Sequence, residues 1–370
     1  MYETFEDLPT DALMRQARDV REAHWGRNVT YSRKVFVPLT NMCRDTCGYC
    51  TFVKHPDDPA AELLTPEQVL AQAKRGEAKG CKELLFSLGE KPEERYAVAR
   101  EALARLGYER MTDYLADMCA LVLQETTLLP HVNAGTLTDD EIDRLKPVSA
   151  SMGMMLETIS RRLTRKGQPH FACPDKVPVQ RLRTLERAGQ RKVPFTTGLL
   201  IGIGETWGER IEALHAINAA HARHGHIQEV IIQNFQRKPD IAMADHPEPL
   251  LDDMLRTIAA ARIILDPEIS LQAPPNLHKR HIAYLEAGIN DWGGISPVSI
   301  DFINPQHDWP EIRALADSCA SAGFGLQERL TVYPRFLAEC GYLAPPLANR
   351  IAVMARGDGL ARQQCLEAAE

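Results

Sequence analysis

Three cysteines, Cys43, Cys47 and Cys50, are separated by three and two residues in Cys43-Arg44-Asp45-Thr46-Cys47-Gly48-Tyr49-Cys50, directly after the short apolar run 35–40. Thiolates are soft ligands, and three converging in one loop suit an iron–sulfur cluster or zinc. A structural zinc site is closed by four ligands, and no fourth cysteine shares this loop; His55 is the nearest histidine. A four-iron cluster on three thiolates keeps one iron open to a further ligand. Three thiols without metal is the remaining reading. His131 and Asn133 fall where an apolar strand should end, so they contact a substrate or are satisfied structurally. Asp291, Ser296, Asp301 and Asn304 lie in a Gly/Pro-rich stretch late in the chain, where such groups bind a polar ligand or cap turns. Gly202 and Gly204 have G-x-G spacing but lack the third glycine of a dinucleotide fingerprint. Cys81, Cys119, Cys173, Cys319, Cys340 and Cys365 show no mutual metal spacing and read mostly as core or surface thiols.

The elements that must hold the cysteine loop follow from periodicity. Strands are predicted at 35–40, 83–87, 128–133, 149–156, 195–201, 229–234 and 269–273, with a weaker one at 289–292. Helices lie between them. Thr65-Pro66-Glu67-Gln68 and Thr138-Asp139-Asp140-Glu141 are helix starts, and Gly80 and Gly189 are placed to end theirs. Alternating strands and helices predict an α/β fold with a parallel sheet, and seven or eight strands suit a TIM-type (β/α) barrel, complete or partial. Residues 1–30 read as an N-terminal helical extension with Asp11 as a possible cap, 31–324 as the barrel, and 325–370 as a helical segment packed on it.

Composition narrows the function. The 370 residues carry 43 Lys+Arg against 50 Asp+Glu, with 44% hydrophobic residues, which excludes disorder as the main state. No basic run marks a nucleic-acid binder, no stretch is long and apolar enough to span a membrane, and the start lacks a secretory pattern. Nine cysteines in a long chain suggest reduced thiols. A cytoplasmic protein acting on a small molecule is expected.

The C-x3-C-x2-C loop, with Tyr49 before its last cysteine, resembles the cluster motif of radical S-adenosylmethionine (SAM) enzymes. The wider stretch 40–52, together with 87–93, 131–135, 151–157 and Gly288-Ile289-Asn290-Asp291-Trp292-Gly293-Gly294-Ile295-Ser296-Pro297, resembles the CofG type of the 7,8-didemethyl-8-hydroxy-5-deazariboflavin (FO) synthase family over residues 31–333. The resemblance implies one [4Fe-4S] cluster on Cys43, Cys47 and Cys50, whose open iron chelates SAM and whose electron cleaves it to methionine and a 5′-deoxyadenosyl radical. It places Tyr49, Gly89, Glu90, Glu157, Arg181 and Ile203 around SAM. Glu90 would meet the ammonium, although Leu88 replaces the first glycine of the usual Gly-Gly-Glu; Glu157 would meet the ribose hydroxyls, Arg181 the carboxylate and Ile203 the adenine.

Substrate contacts are expected from Asn133, Asp291, Ser296 and Asp301, and catalytic candidates are His131, Asp291 and Asp301. The implied reaction is lyase-like. An adduct of tyrosine and ribitylaminouracil loses hydrogen to the radical, closes a ring and releases ammonia, giving the chromophore of coenzyme F420. A CofH-type companion would supply the adduct, and a reducing protein such as ferredoxin or flavodoxin the electron. The companion synthase itself, a biotin-synthase-like enzyme needing a second cluster, and a zinc-binding module are the alternatives.

Overall fold

The structure is a computed structural model that describes Phe5 and residues 8–362. Nine strands form one parallel sheet: β1 (Asn28–Pro38), β2 (Glu83–Ser87), β3 (Leu129–Asn133), β4 (Ser151–Gly153), β5 (Phe195–Ile201), β6 (Ile227–Asn234), β7 (Ser270–Gln272), β8 (Asp291–Ile295) and β9 (Gly325–Glu328). β1 pairs with both β2 and β8, so the first eight strands close a ring. The barrel is complete. β9 adds outside the ring, parallel to the first half of β1, from Asn28↔Gly325 to Tyr31↔Glu328.

The principal helices are α1 (Thr10–Trp25), α2 (Pro66–Ala78), α3 (Ala97–Arg105), α4 (Met111–Glu125), α5 (Asp139–Leu145), α6 (Pro178–Gln190), α7 (Trp207–His224), α8 (Leu251–Ile264), α9 (Ile312–Ser321) and α10 (Pro345–Met354). Most of their apolar faces join a core that includes Val35, Leu84, Val132, Met152, Phe195 and Ile232, while α10 packs into a second cluster through Leu347 and Ile351. Thr65 starts α2 as the sequence predicts: Thr65 Oγ1 accepts from Gln68 N at 3.4 Å and Gln68 Oε1 accepts from Thr65 N at 2.7 Å. The apolar residues of α1, Leu13 and Ala17, pack on Ala259 of α8.

Side chains alternate along each strand, so residues two apart face the same side. Lys34 and Phe36 of β1, Glu83, Leu85 and Ser87 of β2, His131 and Asn133 of β3, and Glu229, Ile231 and Gln233 of β6 all point into the ring. An aliphatic barrel interior would be filled; this one is polar and keeps a cavity.

Five sequence expectations are corrected. β1 runs over Asn28–Pro38 rather than 35–40, so the ring begins inside the stretch expected as a helical extension. The predicted strand 149–156 pairs only over Ser151–Gly153, because the chain leaves the ladder there and returns as a single bridge from Glu157, at φ 65°, to Leu199. The segment after residue 324 opens with β9 rather than a helix, and that strand delivers Arg329 to the barrel interior. Its alternation is too short, at four residues, to stand out from the helical periodicity around it. Asp11 lies inside the first turn of α1, paired with Arg15, and does not cap it. Gly189 stays within α6, where a Cβ would lie 2.6 Å from the His224 ring; it permits close packing on α7.

Candidate active site

The C-terminal ends of the strands open onto a cavity of about 240 Å³ lined by Cys43, Cys47 and Cys50 together with Glu90, Glu157 and Arg181. Below it the barrel lumen holds a second cavity of about 200 Å³. Ser87, Asn133, Met155, Gln233 and Ile303 line both, so the two spaces adjoin.

The cysteine loop leaves β1 and is tied to the end of β2. Gly89 N donates to Thr40 O at 2.8 Å, Arg44 N to Glu90 O at 2.9 Å, and Glu90 N to Cys43 Sγ at 3.1 Å. A Cβ on Gly89 would lie 1.9 Å from Met42 O, so the two loops meet only with glycine there. Behind the thiols an apolar wall of Tyr49, Leu163, Leu200, Ile203, Phe235 and Ile241 packs against Cys47 and Cys50. Ile203 is therefore beside the loop, and Glu205 fixes its segment by accepting from Gly202 N and Ile203 N at 2.8 and 2.9 Å.

Glu157 is the hub. Its carboxylate meets Lys176 Nζ at 2.5 Å, His170 Nε2 at 3.2 Å, Arg181 Nη2 at 3.3 Å and the Tyr49 hydroxyl. Burial opposes its charge, but Lys176, Arg181 and His170 outweigh that and hold the carboxyl well below the usual range. Arg181 also donates to Met155 O at 2.8 Å and Asp175 O at 3.2 Å and lies 3.7 Å from Glu90. Glu90 accepts from Thr136 Oγ1 at 2.6 Å, and burial raises its carboxyl above the ordinary value despite Arg181. Arg183 is exposed on the other face of α6. Thus Tyr49, Glu90, Glu157 and Arg181 come together at one cavity wall.

The later candidates do not all join them. Asp291 begins β8, at the opposite end of that strand from the mouth, and is wholly buried. Its carboxylate is bound by Arg329 Nε at 2.6 Å, Gly293 N at 2.5 Å and Thr30. The placement of Asp291 at the mouth is corrected accordingly. Ser296 accepts from Ser299 N at 2.9 Å and Val298 N at 3.3 Å; it caps a turn and lies outside both cavities. Asp301 lines the lumen while accepting from Ile303 N and Asn304 N at 2.9 and 3.0 Å. His131 and Asn133 line the lumen as well. His55 is exposed beside Asp57 and does not join the thiols.

Sequence reading missed Lys176, His170 and Asp175, which come from the irregular stretch before α6 and carry no periodic signal. The length of that stretch was the available hint, since long irregular loops in compact domains are commonly functional. It also brings the buried Cys173 thiol next to Cys47, a proximity that spacing could not reveal. Cys81, Cys119 and Cys319 are buried elsewhere, Cys340 is exposed, and Cys365 lies outside the described residues.

Comparison with known proteins resolves the metal question. Residues 37–217 match the radical SAM superfamily. The 7,8-didemethyl-8-hydroxy-5-deazariboflavin synthase of Methanopyrus kandleri is 47% identical over 336 residues, covering 90% of this chain and 100% of its own length. The chain belongs to the FO synthase family of radical SAM enzymes. The FO synthase of Mycobacterium leprae is 48% identical over 90% of this chain, which spans only 40% of that longer protein. Methylornithine synthase PylB (TM-score 0.68, 16% identity, 88% of this chain and 92% of its own) and the hydrogenase maturase HydG from Carboxydothermus hydrogenoformans (0.71, 18%, 95% and 84%) share the barrel fold.

The cofactors of this family are a [4Fe-4S] cluster and SAM, and the residues present fit them. Three thiols line one cavity, and Cys173, the neighbouring thiol, does not line it. Burial and nearby Asp45 push the Cys43 thiol up to about 12, so metal binding must displace its proton. The zinc-module reading is overturned by the family match. No helix among the described residues is long and apolar enough to cross a membrane.

Proposed function

We propose that this chain performs the second, CofG-type half of FO formation. It takes 5-amino-5-(4-hydroxybenzyl)-6-(D-ribitylimino)-5,6-dihydrouracil, a preformed adduct, closes the central ring and releases ammonia, a lyase-type outcome in deazaflavin and coenzyme F420 biosynthesis. The bound cluster and SAM together supply a 5′-deoxyadenosyl radical that takes a hydrogen atom from the substrate. The protein's task is to hold SAM at the upper wall and the adduct beneath it, and to keep water out.

The adjoining cavities carry this reading. Glu157 and Glu90 both border the upper space, where Glu90 Oε2 has only Arg181, at 3.7 Å, beside it, and Arg181 offers a planar fork for an anion. Asn133 and Met155 border both that space and the lumen beneath it, so SAM above and the adduct below would adjoin. Coverage of the full Methanopyrus relative, against two-fifths of the longer FO synthases, suits one of two activities. His131, inside the lumen, is the proposed proton acceptor, and Asp301 an alternative. A CofH-type companion supplies the adduct, and ferredoxin or flavodoxin the electron.

Anaerobically reconstituted protein given SAM, reductant and the adduct should form a fluorescent deazaflavin. Deuterium at the abstracted position should appear in 5′-deoxyadenosine. Formation of FO from tyrosine and the ribitylaminouracil by this chain alone would place the companion's activity here too, and deoxyadenosine without label would mean another substrate.

A further inference from the structure

Three primary amides face the lumen from three strands: Asn133 at the end of β3, Gln233 on β6 and Gln272 on β7. None of their side chains hydrogen-bonds another described residue, although Gln272 is only 6% exposed. Gln272 is buried and Asn133 and Gln233 are half-buried, and amides that face one cavity without a protein partner point to a ligand that completes them. The buried charged groups of the lumen wall, by contrast, are engaged with one another or with protein partners. Lys34 meets Glu83 at 2.7 Å, His131 Nδ1 is 2.7 Å from Ser151 Oγ, and Glu229 accepts from Arg329 at 2.8 Å.

The Gly293-Gly294 pair makes this room. A Cβ on Gly293 would lie 1.9 Å from the Gln272 amide nitrogen, and one on Gly294 would lie 2.2 Å from Lys34 Cε. Any larger residue would drive these polar side chains out of their lumen positions. The Asn-Asp-Trp-Gly-Gly segment thus acts through what it leaves empty, while its Asp291 only anchors Arg329.

We infer that the lumen binds the pyrimidinedione end of the substrate, with Asn133, Gln233 and Gln272 reading its imide edge. This rests on the reading under Proposed function and replaces the substrate contacts expected from Asp291 and Ser296. A primary amide offers a donor and an acceptor side by side, the complement of a ring N–H flanked by carbonyls. The ribityl hydroxyls then reach the Lys34–Glu83 pair on the floor. The hydroxybenzyl end stays uppermost, under the cluster cavity, where its hydrogen is exposed to the radical.

The test is a cycle between protein and ligand. KM is measured for the adduct and for its analogue methylated at the ring nitrogen between the two carbonyls, in the wild-type holoenzyme and in Gln233→Leu/Gln272→Leu. The double substitution should raise KM for the adduct about ten- to a hundredfold. The methyl group should cost the wild type at least about tenfold and the variant less than about threefold, because the groups that it offends are gone. If the methyl group costs both proteins equally, the amides do not read that edge. Should the double variant fail to fold, Gln233→Leu alone, at a half-buried position, runs the same cycle. A wild type that turns over the adduct but ignores the methyl group overturns this inference only; a wild type that neither converts the adduct nor takes its label overturns the proposed function, and this inference with it.

Discussion

Arg181 and Arg329 are both buried between two carboxylates near a tyrosine, yet they serve different ends. Arg329 is saturated by protein: Nε and Nη2 bind Asp291 at 2.6 and 3.0 Å, Nη2 also binds Glu229 at 2.8 Å, Nη1 binds Leu330 O at 3.1 Å, and the Tyr333 ring lies 4.3 Å below. Arg181 spends two of its donors on backbone oxygens and stands 3.3 and 3.7 Å from Glu157 and Glu90, which both border the cysteine-lined cavity. Residue type alone does not separate a structural charge from a ligand-binding one. What separates them is how much of each group's hydrogen-bonding capacity the protein consumes, and whether a cavity adjoins the remainder.

The sharpest way to test the upper region is to remove its metal. Cys47→Ala should abolish reductive SAM cleavage, because two thiolates do not securely hold a cubane with one iron open, whereas Cys119→Ala, at a thiol buried in the helix-covered core, should retain it. Iron content and deoxyadenosine formation are the readouts. Normal iron and turnover in Cys47→Ala would remove the cluster from this loop.

The lower region should respond in stability. Asp291→Ala leaves Arg329 without its closest partner, with only Glu229 and a carbonyl to hold it. Breaking a buried pair in this way costs about 3 to 5 kcal/mol. Anaerobic denaturation of the holoenzyme should show that loss with SAM affinity little changed. If instead the variant is as stable as wild type and binds the adduct poorly, Asp291 is a substrate ligand after all, and the contrast with Glu157 disappears.

The upper charges should show the reverse pattern. Glu157→Gln removes a charge-assisted partner for SAM, worth about 1.5 to 3 kcal/mol, or roughly ten- to a hundredfold in affinity. Equilibrium dialysis with SAM should report it, with cluster assembly retained, and Arg181→Ala should act in the same direction. Arg183→Ala is the control, being exposed on the far side of the helix. A silent Arg181→Ala beside a damaging Arg183→Ala would contradict the geometry of the wall.

How much of this was legible in the sequence follows the same division. The cysteine loop was readable because its three ligands are local, within eight residues, and its chemistry follows from spacing. Strand β5, with Phe195 and the run Leu199–Ile201 flanking two β-branched threonines, was readable from composition. Ser151–Gly153 was overextended because the flanking apolar residues 154–156 are buried by tertiary packing without joining the ladder. Gln233 and Gln272 looked like ordinary polar residues interrupting strands, and only ring closure puts both inside one cavity. Asp291 misled for the opposite reason: late polar residues in a barrel suggest the mouth, but its partner Arg329 arrives from 38 residues further along, just past a strand too short to see.

His131 links the two regions and gives the smallest predicted effect. Its ring is buried on the lumen wall, with Nδ1 2.7 Å from Ser151 Oγ, which in turn meets Thr331 Oγ1 at 2.7 Å. Burial, aided by Lys34 and Arg329 and opposed by Glu83, pushes its pKa down to about 4. The folded chain therefore binds this proton more weakly than the unfolded chain, whose histidine titrates near 6.5. The stability that neutral His131 permits is complete above about pH 6.5, declines as the pH falls toward 4, and is lost below it. Near pH 5.5 the deficit from this one group is about 1 kcal/mol. His131→Gln cannot take up the proton, so its stability should fall less than that of wild type between pH 7.5 and 5.5 by about that amount, in paired urea titrations of the holoenzyme. Other buried histidines, His226 among them, titrate alike in both proteins and cancel. Equal losses in the two proteins would show that His131 is solvated or already charged in the folded state, and its proposed role as a neutral proton acceptor would go with that result.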